Sequence, residues 1–146
     1  MKTLAGIAVA AFLVFPAKAQ DVVLSASQVE LAQSVHVGKM PCELGQSVVL
    51  VADPGAMGFF SLHIGRARYR VAPELTTTGA IRLEDKGAGI VWLQLANKSM
   101  LMNQKLGRRL ADECKSAAQQ VVADEMVRNP PASVLDETIP TGVVSK

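Results

Sequence analysis

Two cysteines, two histidines, one tryptophan and one tyrosine are all that 146 residues supply of the side chains that most often build metal centres, nucleophilic sites and base-stacking platforms. His36 and His63 each stand in a strand-like segment with no Cys, Asp or Glu nearby at metal-ligand spacing. No serine sits in a nucleophile elbow, and no glycine-rich stretch has phosphate-cradling or dinucleotide-binding spacing. The expectation is a protein that is not an enzyme and holds neither metal nor cofactor, unless distant residues converge on a site. One soft-ligand set, Cys42 with Met40 and the Met100-x-Met102 pair, has the donor types for Cu(I) but no distinctive spacing, and methionine is ordinary core filler.

Long apolar runs are also missing. The longest, Leu4 to Phe15, falls short of the ~20 residues a membrane span needs. It follows Lys2 and precedes Ala17-Lys18-Ala19, which is the layout of a cleavable export signal over residues 1–19, cut after Ala19 to leave Gln20 first. No cysteine adjoins that point, so a lipid tether is not expected, and the periplasm is the expected location without a membrane anchor. A surplus of charge is absent too. Lys2 and Lys18 belong to the leader, so the rest of the 15 basic residues balance the 13 acidic ones. That balance argues against nucleic acid as a partner, because binding to phosphate backbones draws on a basic surplus.

An even pair of cysteines in an oxidising compartment is most simply a disulfide, Cys42 to Cys114. It would close a loop of about 70 residues, for which chain entropy alone gives roughly 4–5 kcal/mol.

Between the cysteines the pattern is β. Residues Ser34–Cys42, Gln46–Asp53, Phe59–Ile64, Ala67–Ala72, Gly79–Asp85, Gly89–Ala96, Ser99–Gln104 and Gly107–Cys114 read as eight short strands separated mostly by Gly, Pro, Asn or Asp signals. The last also accommodates a helix. Strands at this spacing specify an all-β fold, a small antiparallel eight-stranded β-barrel or barrel-like sandwich, with closure removing the edges. Ser27-Gln28-Val29-Glu30 has the form of a capping box and places a short N-terminal helix over Gln28–Gln33. Ala118, Val121, Val122 and Met126 share one face of a second helix over Ala117–Arg128, expected to pack on the sheet and ended by Pro130-Pro131. The domain then runs over residues 20–131, and residues 132–146, without periodicity, read as a flexible tail.

Arg66, Arg68 and Arg70 occupy alternate positions and so form a basic stripe, either a solvated face paired to Glu43, Glu74 or Glu84, or a docking strip for an acidic partner or the anionic parts of the envelope.

The stretch "TTTGAIRLEDKGAGIVWLQLANKSMLM", Thr76 to Met102, holds the tryptophan and two glycine-bearing turns. Together with "CELGQSVVLV" after Cys42 and the closing Cys114, its "TGAIRLE" and "VWLQLANKSMLM" segments resemble the periplasmic and membrane-bound inhibitors of C-type lysozyme. The resemblance covers Val37 to Cys114. It implies an eight-stranded barrel with a disulfide, C-type lysozyme as partner, and a hydroxyl and a lysine that enter the glycosidase cleft. Thr78 and Gly79 match the Ser-Gly of the first motif. Arg82 stands at its tyrosine, Gln94 at the lysine of the Trp-x-Lys-Gly motif and Leu95 at its glycine, so Lys98 or Lys86 must supply the ammonium. The alternative is a diverged, non-enzymatic envelope-binding barrel that uses the Arg66–Arg70 strip for another partner.

Overall fold

The computed structural model describes residues 23–131. Eight strands follow one another as a single antiparallel sheet in chain order: β1 (Gly38–Pro41), β2 (Ser47–Ala52), β3 (Phe60–Ile64), β4 (Ala67–Glu74), β5 (Ile81–Asp85), β6 (Ile90–Gln94), β7 (Ser99–Asn103) and β8 (Arg108–Cys114). The sheet curls into a nearly closed barrel. At the seam, the Lys115 amide donates to the Pro41 carbonyl at 3.0 Å, and the Cys42–Cys114 disulfide links the two margins. The expected leader, residues 1–19, and the expected tail, residues 132–146, lie outside the described residues.

Period-two alternation decides which side chains fill the barrel. Met40, Val48, Leu50, Phe60, Leu62, Val71, Leu83, Ile90, Trp92 and Leu101 point inward and are buried. Their outward neighbours include Lys39, Arg68 and Arg70, all exposed. Each fully buried aliphatic side chain contributes about 1.5–3 kcal/mol, and Trp92, fully buried, supplies the largest volume in the core.

Six strands begin later than the sequence suggests, β2, β3, β6 and β8 by one residue, β5 by two and β1 by four. β5 starts at Ile81 and β6 at Ile90 because Gly79 (φ 74°) and Gly89 (φ 70°) take the left-handed conformation that ends a ladder. At Gly89 there is also no room for a side chain, since a Cβ would lie 2.6 Å from Lys105 Cγ. β1 starts at Gly38 rather than Ser34, and the segment before it is held by a side chain instead of a neighbouring strand. β8 is a strand throughout, not a helix.

Helix α1 (Ala26–Ala32) starts two residues earlier than expected, because the capping box is built on Ser25: its hydroxyl accepts from the Gln28 amide while Gln28 Oε1 accepts from the Ser25 amide. Gln28 Nε2 then donates to the Pro73 carbonyl at 2.6 Å and moors the helix to β4. Helix α2 (Ala117–Arg128) spans the expected residues, with a second capping box between Ser116 and Gln119. Its apolar face does not pack on the sheet. Ala118, Val121, Val122 and Met126 are exposed, and the one buried side chain of the helix is Gln119. Gln119 Nε2 donates to the Leu95 carbonyl and to Ser99 Oγ, both at 2.8 Å, so the barrel grips the first turn only.

Candidate functional site

An antiparallel meander puts alternate loops at opposite ends. Loops 75–80 (β4 to β5) and 95–98 (β6 to β7) therefore share one end, while turns 65–66, 86–89 and 104–107 lie at the other. Thr78, Gly79 and Lys98 are thus brought to one rim. Lys86 is rooted in the turn at the opposite end, and its ammonium reaches back along the wall to Glu74 at the end of β4, a bond that raises its pKa and occupies it.

Loop 75–80 is shaped for display. Thr76 Oγ1 donates to the Ala80 carbonyl at 2.8 Å and pinches its base, so that Thr77, Thr78 and Gly79 stand exposed. Nothing lies within 4 Å of where a Gly79 Cβ would be, so the glycine serves backbone conformation rather than close packing. Beside the loop runs an open groove of about 590 Å³, with Leu75, Thr78, Arg82, Leu93 and Leu95 among its walls. Leu75 is 61% exposed, an apolar surface beside three threonine hydroxyls.

Lys98 belongs to a charged cluster. Its Nζ lies 2.5 Å from Glu113 Oε1 and 3.8 Å from Asp112 Oδ1, while Lys115 Nζ holds the other oxygen of Glu113 at 3.1 Å. The Glu113 hydrogen bond raises the Lys98 pKa, and the bonds from Lys98 and Lys115 lower that of Glu113. Glu113 also has a left-handed backbone, φ 52°, beside the irregular pairing of β7 with β8. Because Lys115 already neutralises Glu113, Lys98 can move to an external carboxylate without leaving a bare charge behind.

The positions where the sequence departs from the inhibitor motifs have definite roles. Gln94 points into the barrel, 2% exposed, and is bonded to the His36 backbone. Arg82 is ion-paired to Glu84 on the outer wall. Leu95 donates its amide to the Lys98 carbonyl at 2.8 Å, closing the tight 95–98 turn.

The arginine stripe divides. Arg70 is engaged, 3.5 Å from Asp53 and stacked 3.9 Å above the Phe59 ring. Arg66, in the β3–β4 turn, and Arg68 are exposed, and among the described residues neither has a carboxylate within ion-pair distance. The partners expected from sequence are otherwise placed: Glu74 and Glu84 hold Lys86 and Arg82, and Glu43 lies in the 3-10 turn (Glu43–Gly45) against β8. Sequence reasoning missed two members of this face. The register Lys39–Val49–His63–Arg68 across β1 to β4 sets Lys39 and His63 in the same outward row.

Among the described residues no cluster of three or more His, Cys, Asp or Glu could hold a metal ion, and no helix is long and apolar enough to cross a membrane. Met40 is buried in the core and Cys42 is bonded to Cys114, so the soft-metal set is not available as ligands. Comparison with protein-family models, with curated proteins and with solved structures finds no match.

Proposed function

We propose that this barrel is an exported, non-enzymatic inhibitor that blocks the cleft of a C-type lysozyme with the rim formed by loops 75–80 and 95–98. The observation that carries the reading is the sharing of one end by an exposed hydroxyl loop and Lys98, whose partner Glu113 has a second cation in Lys115. A retaining glycosidase works with one protonated and one ionised carboxyl group. The Thr78 hydroxyl can donate to one or accept from the other, and the Lys98 ammonium pairs with the ionised one. Leu75 and Leu95, exposed beside the loop, offer apolar area that a contact of this kind buries. The partner class comes from the resemblance of the Cys42, Thr78-Gly79 and Trp92 segments, which leaves Lys98 and Lys86 both open; Lys98, in the loop that shares an end with Thr78, is the ammonium of this reading.

The test is the lytic activity of a C-type lysozyme titrated with the oxidised protein from Gln20 to Lys146, with calorimetry for direct binding. Stoichiometric loss of activity supports the reading, and an absence of both inhibition and binding removes it.

A further inference from the structure

The outer wall of β1 to β4 carries a second surface that the rim does not use. Between Gly38 and Arg70 the chain has only two carboxylates, Glu43 and Asp53. Asp53 is taken by Arg70, and Glu43, in the turn between β1 and β2, lies against β8 and forms no ion pair with these cations. Lys39, Arg66 and Arg68 are left exposed with no carboxylate within ion-pair distance among the described residues. Elsewhere most cations are paired: Arg82, Lys86, Lys98, Arg109, Lys115 and Arg128 have carboxylate partners, while Lys105 bonds the Gly87 carbonyl and Arg108 is exposed without one. Among the described residues, three of the five cations without a carboxylate partner thus stand on this wall, where they bear mutual repulsion that an anionic partner relieves.

The geometry of the face selects the form of that partner. Arg66, in the turn that opens β4, and Arg68 on the strand stand at alternate positions, an interval of ~6.7 Å along extended chain, while Arg70, next in the series, is engaged by Asp53. An extended peptide repeats its same-side carboxylates at that interval. Arg66 and Arg68 follow the line of one strand, which fits an extended chain rather than the plane of a bilayer, and Lys39 flanks that line from β1 in the row of Arg68. Val51, 49% exposed and opposite Ser61 in register, gives the apolar floor beside the cations, and His63 lies opposite Arg68 with ring nitrogens for hydrogen bonding.

We infer that the β1–β4 wall is a docking strip for an extended acidic peptide segment of a protein partner, held by Arg66, Arg68 and Lys39. This site is independent of the lysozyme reading, since turn 65–66 lies at the end of the barrel opposite loop 75–80.

The experiment is fluorescence anisotropy of a labelled peptide of alternating glutamate and serine, titrated with the oxidised protein at two salt concentrations. The Arg66→Ser/Arg68→Ser variant is compared with the charge-matched Arg108→Ser/Arg128→Ser variant. The strip predicts salt-sensitive binding weakened about tenfold or more in the first variant and within about twofold of wild type in the second. Lysozyme titrations of the first variant follow the wild type, so the two sites fail or succeed separately. Absence of peptide binding overturns the inference, as does equal weakening in both variants. Retention of the protein by phosphatidylglycerol vesicles without peptide binding also overturns it, in favour of a membrane surface.

Discussion

Gln94 and His36 exchange a pair of hydrogen bonds: the Gln94 side chain accepts from the His36 amide at 2.9 Å and donates to the His36 carbonyl at 2.7 Å. A side chain from β6 thereby does for residues 35–37 what a neighbouring strand would do, satisfying one backbone donor and one acceptor at the entrance to β1. The position that the inhibitor motif gives to a lysine is here part of the fold. Gln94→Ala leaves both His36 groups unpaired in a half-buried place and is expected to cost about 1–3 kcal/mol, read from the urea midpoint. Gln94→Lys restores the motif residue but directs an ammonium into the barrel. It destabilises the protein without strengthening lysozyme binding. A Lys variant as stable as wild type, with tighter binding, would contradict this role.

Thr78 and Lys98 carry the contact on the proposed rim. Thr78→Ala removes an exposed hydroxyl and leaves the melting temperature unchanged, while loss of a hydrogen bond to a charged group lowers lysozyme affinity about tenfold or more. Lys98→Ala has a similar effect on affinity with a small loss of stability from the Glu113 pair. Lys86→Ala, at the far end, leaves affinity as it was. Calorimetry on the three variants checks the ordering, and a loss at Lys86 equal to that at Lys98 would place the contact elsewhere.

Glu113 and Lys98 make stability depend on pH at both ends of the scale. The Glu113 pKa is lowered by its bonds from Lys98 and Lys115. Its contribution is therefore present above the unfolded carboxylate value of about 4.3 and is lost as pH falls through the lower folded value. Lys98 is raised by the same bond. Its contribution is full below the unfolded value of about 10.4 and is lost as pH rises through the higher folded value. With both side chains partly exposed, the pair is worth about 0–1 kcal/mol between those limits. Urea midpoints measured against pH should show a shallower acid limb in Glu113→Gln than in wild type. Parallel curves would mean that Glu113 titrates as a free carboxyl group.

The Cys42–Cys114 bond joins residues 72 positions apart and ties β8 to the end of β1. Reduction frees most of the barrel in the unfolded chain, which chain entropy puts at about 4–5 kcal/mol as an upper value. The Cys42→Ser/Cys114→Ser protein is expected to unfold at a much lower urea concentration than the oxidised protein, and to be insensitive to reductant.

The strands were legible because turn residues and alternating apolar positions recur from Gly38 to Cys114, and every inward residue of β2 and β3 follows from that alternation. The extent of α2 was equally legible, since Ser116 and Pro130 bracket it. Its packing was not. The spacing of Val121, Val122 and Met126 describes an apolar face, but whether a surface meets that face depends on the direction in which Gln119 and the Cys114 seam launch the helix. The capping box at Ser25 was displaced by a competing match at Ser27, because Gln at the third helical position serves as well as Glu. At the candidate site, the exposure of Thr78 is in keeping with a short loop of three threonines and one glycine. The engagement of Lys98 did not, since Glu113 is 15 positions away and reaches it only through the irregular pairing of β7 with β8. Likewise Lys39 and His63 join Arg68 only through strand register, a long-range property that local pattern does not encode.

The measurement that tests the central claim most directly is residual lytic activity of a C-type lysozyme titrated with the oxidised protein and, in parallel, with Thr78→Ala. The account predicts stoichiometric inhibition by the wild type and an inhibition curve displaced about tenfold or more for the variant. Undiminished lysis at a molar excess of wild type, or identical curves for the two proteins, would contradict it.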